Sequence, residues 1–213
     1  MKDEKRTYFY FPTEVILSGE WGSKEAKGMR RLMPTLHMFE WGNGWCNPCY
    51  DMLSEMCGVT KKSVATYSKN VNVFEKFGYS RKTYTSKKCG RDGWAYDVPN
   101  LSKKKVKKLI IWRDIIDNDK WRNLKPSSQS IYFCLRALSK TDESSMDEDG
   151  EMSLRYKQRN SDVVKSVVMK NLSKMSGVSR SKIEMCFEEL MEVRLIDTCG
   201  KGFSIAVWNY GSF

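Results

Sequence analysis

Residues 53–64 read LSEMCGVTKKSV and residues 172–183 read LSKMSGVSRSKI. Aligned without a gap, they share Leu53/Leu172, Ser54/Ser173, Met56/Met175, Gly58/Gly177 and Val59/Val178, with Thr60/Ser179 and Lys61/Arg180 as like-for-like exchanges. One short unit is therefore used twice within 213 residues, and whatever each copy builds must be built twice. Each copy reads as an apolar-faced helix, a glycine that ends it, a hydroxyl residue placed to cap a second helix, and basic side chains in that helix's first turn. The tight turn favours positive φ, which glycine reaches without a Cβ penalty, so Gly58 and Gly177 are predicted there. Thr60 and Ser179 are predicted to bond the free amides that follow. Apolar residues continue at helical steps as Val64, Tyr67 and Val71 in the first copy and Ile183, Phe187 and Leu190 in the second. Lys61, Lys62, Ser63, Thr66 and Lys69 then face outward in copy one, and Arg180, Ser181, Lys182 and Met185 in copy two.

The repeat extends in both directions. Downstream, residues 81–98 carry a turn-rich centre, CGRDG, between two β-like runs, and residues 196–207 carry a shorter version around Gly200 and Gly202; each reads as a two-stranded hairpin. Gly78 lies 20 residues beyond Gly58, whereas its counterpart Arg194 lies 17 beyond Gly177, so copy one holds about one extra helical turn. Upstream, Trp21 precedes a predicted helix over 26–39 and Trp121 one over 126–138, where Pro126 suits the first turn. The order helix, helix, second helix of a helix-turn-helix, hairpin resembles a winged helix, and the chain as a whole resembles tandem winged-helix DNA-binding proteins of the plasmid and phage replication-initiator or regulator type. That resemblance implies a mainly α fold with small β-hairpins (α+β), arranged as a first winged-helix domain over 1–100, a basic amphipathic linker helix over 101–120 and a second winged-helix domain over 121–213.

Charge separates the halves. Residues 1–100 hold sixteen Lys and Arg against eleven Asp and Glu, residues 101–125 nine against three, and residues 126–213 twelve against twelve, so the whole net charge of +11 lies before Pro126. A basic balance of this kind is a footprint for polyanions. With no transmembrane run, and no signal-peptide core in residues 1–10, nucleic acid is expected before membrane, in a cytoplasmic, nucleoid-associated protein. On the winged-helix resemblance, Thr60, Lys61, Lys62, Ser63, Thr66 and Lys69 face the major groove or its flanking phosphates, and Arg81, Lys82, Lys87, Lys88 and Arg91 form a basic wing on the backbone. The second wing is short and offers only Lys201, leaving Ser179, Arg180, Ser181 and Lys182 as the contact set of that half.

Residues 101–116, LSKKKVKKLIIWRDII, read as an amphipathic helix with a basic start. Three roles fit it: a linker laying Lys103, Lys104 and Lys105 on the DNA backbone, a dimerisation helix, or a membrane-surface helix. Residues 141–151, TDESSMDEDGE, are predicted to be an acidic solvated loop, with Arg155, Tyr156, Lys157, Arg159 and Asn160 as a small basic patch after it. Cys46 and Cys49 have zinc-knuckle spacing, with Cys57, Cys89 and His37 to complete four ligands, but a second close pair is missing, and Cys57 beside the turn glycine and Cys49 at the start of the helix have ordinary positional explanations. The seven cysteines, an odd number, imply reduced thiols. One histidine, no phosphate loop and no nucleophile elbow leave nothing on which to build an enzyme, and no metal or cofactor is expected. The expectation is a non-enzymatic, sequence-specific double-stranded DNA-binding protein, a replication initiator or transcriptional regulator of a mobile element. The alternative is a DNA-bound adaptor whose second winged helix recruits a replication or transcription protein. A homodimer is left open.

Overall fold

Two strands a hundred residues apart hold the ends of the duplication together. The computed structural model describes residues 8–40, 42–85, 92–101, 107–139, 161–164, 167–199 and 201–206. The first half runs β1 (Tyr8–Pro12), α1 (Thr13–Leu17), a 3-10 turn at Glu20–Gly22, α2 (Met29–Met38), β2 (Trp45–Cys46), α3 (Tyr50–Cys57) and α4 (Lys61–Ser68). A 3-10 stretch at Val71–Phe77 and the hairpin β3 (Ser80–Thr85) and β4 (Asp92–Asp97) complete it. The second half repeats the order with β5 (Lys108–Trp112), α5 (Arg113–Ile116), α6 (Asp119–Asn123), α7 (Pro126–Leu138) and β6 (Ser161–Val164). It ends with α8 (Met169–Ser176), α9 (Arg180–Glu192), β7 (Ile196–Cys199) and β8 (Gly202–Ala206). The fold is thus α+β with three small antiparallel sheets among the described residues, and no helix among them is long and apolar enough to cross a membrane.

Each half closes a three-stranded sheet of the same topology, β2-β4-β3 and β6-β8-β7, in which a short strand ahead of the helix pair joins the returning strand of the hairpin. The third sheet joins the halves. β1 and β5 pair antiparallel, Tyr8 with Trp112, Tyr10 with Ile110 and Pro12 with Lys108. Trp121 follows Trp21 by 100 residues, and the central pair, Tyr10 with Ile110, has that same offset. Exchanging the halves exchanges the outer pairs and leaves the central one in place, so the register carries a local pseudo-twofold axis.

This corrects the linker helix expected over 101–120. Residues 102–106, with Lys103, Lys104 and Lys105, lie outside the described residues, Lys108–Trp112 is strand, and only the short α5 and α6 follow. A short continuous apolar run does not distinguish helix from strand by periodicity. Here the β-branched Ile110 and Ile111 and the aromatic Trp112 fit a pleated surface, and β1 supplies the partner that a helix would have left unpaired. Leu109, Ile110, Ile111 and Trp112 are all buried. The acidic stretch 141–151 and residues 155–160 also lie outside the described residues.

A single cluster of buried hydrophobic side chains draws on both halves. Phe11 and Trp21 of the first half meet Phe133 of α7 at ring-centroid distances of 5.0 and 5.6 Å, and Trp121 stands 5.8 Å from the same ring. Burial of such side chains is worth about 2–3 kcal/mol each.

Candidate nucleic-acid interface

The two helix-turn-helix units are built by matching contacts. Gly58 and Gly177 sit in the left-handed region at φ 60° and 66° and end α3 and α8. Ser54 Oγ donates to Val59 O at 2.5 Å and Ser173 Oγ to Val178 O at 2.7 Å, which gives the repeated serine its role: it ties the helix to the turn behind it. From the preceding helices, Arg31 Nη1 donates to Cys57 O at 3.1 Å and Ser130 Oγ to Ser176 O at 2.9 Å, each satisfying a carbonyl that a helix end leaves open. Arg30 Nε and Gln129 Nε2 hold the carbonyls of Trp21 and Trp121 at 2.5 and 2.7 Å. Each turn also rests on the other half. A Cβ on Gly177 would collide with Gly22 O, and one on Gly58 would stand 2.8 Å from Arg122 O.

The two caps differ. Thr60 Oγ1 accepts from Ser63 N at 3.2 Å and lies 3.0 Å from Ser63 Oγ, so both hydroxyls are used in starting α4. Ser179 holds the corresponding place before α9, but its side chain makes no capping bond and lies 3.4 Å from Ser181 Oγ, a correction to the symmetric capping expected. α4 ends at Ser68, and the chain continues as the 3-10 stretch Val71–Phe77, whereas α9 runs unbroken for 13 residues. Both units nevertheless finish alike, with Gly78 at φ 91° and Arg194 at φ 61°.

Of the predicted contact residues in the first half, Thr60, Lys61, Lys62, Thr66 and Lys69 are exposed and Ser63 is half-buried. Val64 and Ser68 are the buried side of α4. Lys61 forms an ion pair with Asp51 of α3, in which both side chains are about two-thirds exposed, so water screens the pair. Lys62 and Lys69 make no ion pair among the described residues, and Thr66 Oγ1 returns to Lys62 O at 3.0 Å. In the hairpin, Lys82 Nζ pairs with Asp97 Oδ1 at 3.0 Å, while Arg81 turns onto the helix. Lys87, Lys88 and Arg91 lie outside the described residues.

In the second half, Ser179, Arg180, Ser181 and Lys182 are all exposed over the first turn of α9. The rest of the exposed face carries Glu184, Met185, Glu188 and Glu192. Counted from the turn glycine, Glu184, Met185 and Glu188 stand where the first half has Ala65, Thr66 and Lys69. Glu189 is committed elsewhere: its carboxylate accepts from Lys125 N and Ser128 Oγ and caps α7.

Four of the five described thiols, Cys46, Cys57, Cys134 and Cys186, are buried. Burial pushes Cys46 up to about 12 and Cys57 up to about 11, Cys134 is raised by the same cause, and Cys49 is exposed at the start of α3. His37 lies fully buried with Nε2 2.7 Å from Tyr79 Oη, and burial pushes it from 6.5 down to about 3, so its ring is neutral. Among the described residues no group of three or more His, Cys, Asp or Glu is placed to hold a metal ion. A cavity of about 190 Å³ beside β1, lined by Tyr8, Tyr10, His37, Glu40 and Arg113 among others, is bordered by none of the predicted contact residues. No family model, no curated protein and no solved structure matches this chain.

Proposed function

We propose that the chain is a sequence-specific double-stranded DNA-binding protein of two winged-helix units, acting as a replication initiator or transcriptional regulator of a mobile element. The observation that carries this reading is the exposed face of α4, where Lys61, Lys62, Thr66 and Lys69 stand together on the second helix of a helix-turn-helix. The strand orders β2-β4-β3 and β6-β8-β7, each flanking a helix pair along the chain, support winged-helix units, and the basic excess before Pro126 supports a polyanionic partner. In this reading α4 enters a major groove, where Thr66 is placed for base edges and the lysines for flanking phosphates. The hairpin β3–β4 lies along the backbone beside it, with Lys82 exchanging its carboxylate partner for a phosphate. The pseudo-twofold register between the halves supports a two-part site, the arrangement that proteins with a single winged helix reach by dimerising.

The adaptor reading draws on a separate observation. Glu184 and Glu188 would face phosphates if α9 were used as α4 is, and like charges there oppose binding. On this reading the first half holds DNA and the second presents α9 to a protein. Fluorescence anisotropy on a randomised duplex pool across a salt series, with the bound fraction sequenced, tests both. Salt-steep binding with an enriched motif spanning two grooves supports two DNA readers, and a motif of one groove supports the adaptor. Absence of binding near physiological salt sinks the DNA reading.

A further inference from the structure

Arg81 was expected on the DNA, yet its guanidinium is already engaged inside the first half. Nη1 donates to Ser68 Oγ at 2.9 Å, and the guanidinium carbon stands 3.8 Å from the ring centroid of Trp94 on the returning strand. Ser68 is the last residue of α4 and is fully buried, with its hydroxyl donating to Ala65 O at 3.1 Å and lying 3.2 Å from Tyr50 Oη of α3. One half-buried side chain on β3 thus touches the end of α4, reaches α3 through Ser68 and stacks on β4.

We propose that Arg81 is a positioning residue that sets the hairpin against α4, and so sets sequence specificity without itself contacting phosphate. This rests on the DNA-binding reading of α4. A planar guanidinium suits the task because its flat face stacks on the indole while its edge donates to Ser68, whereas a lysine ammonium is a compact point charge with no plane to stack. The second half joins helix to hairpin at the corresponding place by other means. Phe187, ten residues beyond Gly177 as Ser68 is beyond Gly58, packs on Phe203 of β8 at 4.6 Å. Two chemically different contacts at one position of the repeat argue that the junction is a required part of the unit. In a DNA reader, the angle between helix and hairpin decides whether base and backbone contacts are made together.

The test compares the wild-type protein with Arg81→Ala, Arg81→Lys, Ser68→Ala and Lys62→Ala on the enriched duplex and on a randomised duplex, across a salt series. Lys62→Ala is expected to flatten the log–log salt slope by about 0.9, the loss of one phosphate contact. Arg81→Ala is expected to keep the wild-type slope and lose about tenfold in the ratio of specific to random affinity. Arg81→Lys, which keeps the charge, should fail to restore that ratio. Ser68→Ala, a small change at a buried site, should lower it in the same direction, and Ser68→Ala with Arg81→Ala should be no worse than Arg81→Ala. A salt slope reduced as in Lys62→Ala, rescue by lysine, or an unchanged ratio in Ser68→Ala each overturns the proposal while leaving the DNA reading standing. Wild-type protein without salt-steep binding overturns that reading itself, and the positioning role with it.

Discussion

The halves agree inside and differ outside. Gly58 and Gly177 turn alike, Ser54 and Ser173 tie the same turn carbonyl, and Arg31 and Ser130 reach the same helix end with unrelated side chains. In the alignment Ala65, Thr66 and Lys69 correspond to Glu184, Met185 and Glu188, and the junction of helix and hairpin is cationic in one half and aromatic in the other. The turn geometry is kept even where the side chains that hold it differ, and the exposed face of the second helix is where the two halves diverge most.

The comparison breaks most visibly at the turn. Gly177→Ala places a Cβ against Gly22 O at a backbone φ that L side chains avoid, and an expected loss of about 3 kcal/mol should appear as a drop in the thermal midpoint by circular dichroism. Gly58→Ala, whose Cβ would stand 2.8 Å from Arg122 O, should lose somewhat less. Equal and small losses would show that the halves are not braced on each other's turns. The outer faces are separated next. Lys62→Ala with Lys69→Ala is expected to weaken duplex binding by about tenfold at moderate salt, whereas Arg180→Ala with Lys182→Ala should cost under about threefold if α9 serves a protein. Equal losses would favour two DNA readers.

Much of this framework was legible because its signals are local. The turn glycines, the hairpins and the helix starting at Pro126 depend on residues within a few positions of one another, and the structure has all of them. Even the pairing of Gly78 with Arg194 survives, both at positive φ. The β1–β5 sheet was hidden because its two strands are a hundred residues apart and neither carries a pairing signal of its own. The strands β2 and β6, two and four residues long, are too short to show alternation. At the candidate interface, exposure of Lys61, Lys62, Thr66 and Lys69 followed from helical spacing. The inward turn of Arg81 did not, since a basic residue on a hairpin reads as surface until Ser68 and Trp94 are seen beside it.

A smaller effect separates the cores by pH. His37 of α2 is buried and neutral, while Arg136, at the corresponding place in α7, is buried with Nη2 donating to Ile110 O at 2.8 Å. The folded value of His37, about 3, lies below its ordinary 6.5, so between these limits the unfolded chain binds more protons. The stability that the neutral ring contributes is complete above about pH 6.5 and is lost on acidification, at no more than about 1.4 kcal/mol per pH unit. Denaturant titrations from pH 7 to pH 4 should show this slope, and His37→Gln, which keeps a partner for Tyr79 Oη, should flatten it. An unchanged slope would assign the acid sensitivity to carboxylates instead.

The smallest effect tests whether the repeat still holds where its sequence has drifted. Gly78 N bonds Glu75 O at 2.8 Å and Tyr79 N bonds Phe74 O at 3.4 Å, and Arg194 N and Leu195 N make the same pair of bonds to Met191 O and Leu190 O at 2.9 Å each. The closing geometry is therefore shared, but the first half fills it with glycine and the second with an arginine at φ 61°, the one non-glycine at positive φ among the described residues. Arg194→Gly relieves the Cβ strain of the left-handed conformation while giving the unfolded chain more freedom, so a net gain of up to about 1 kcal/mol is expected. Gly78→Ala has no close neighbour for its Cβ, the nearest being Pro99 Cβ at 3.8 Å, and isolates the same strain with opposite sign, a loss of about 1 kcal/mol. If Arg194→Gly destabilises instead, the arginine side chain contributes a contact that outweighs its backbone cost. The two halves would then differ in how they close as well as in what they face.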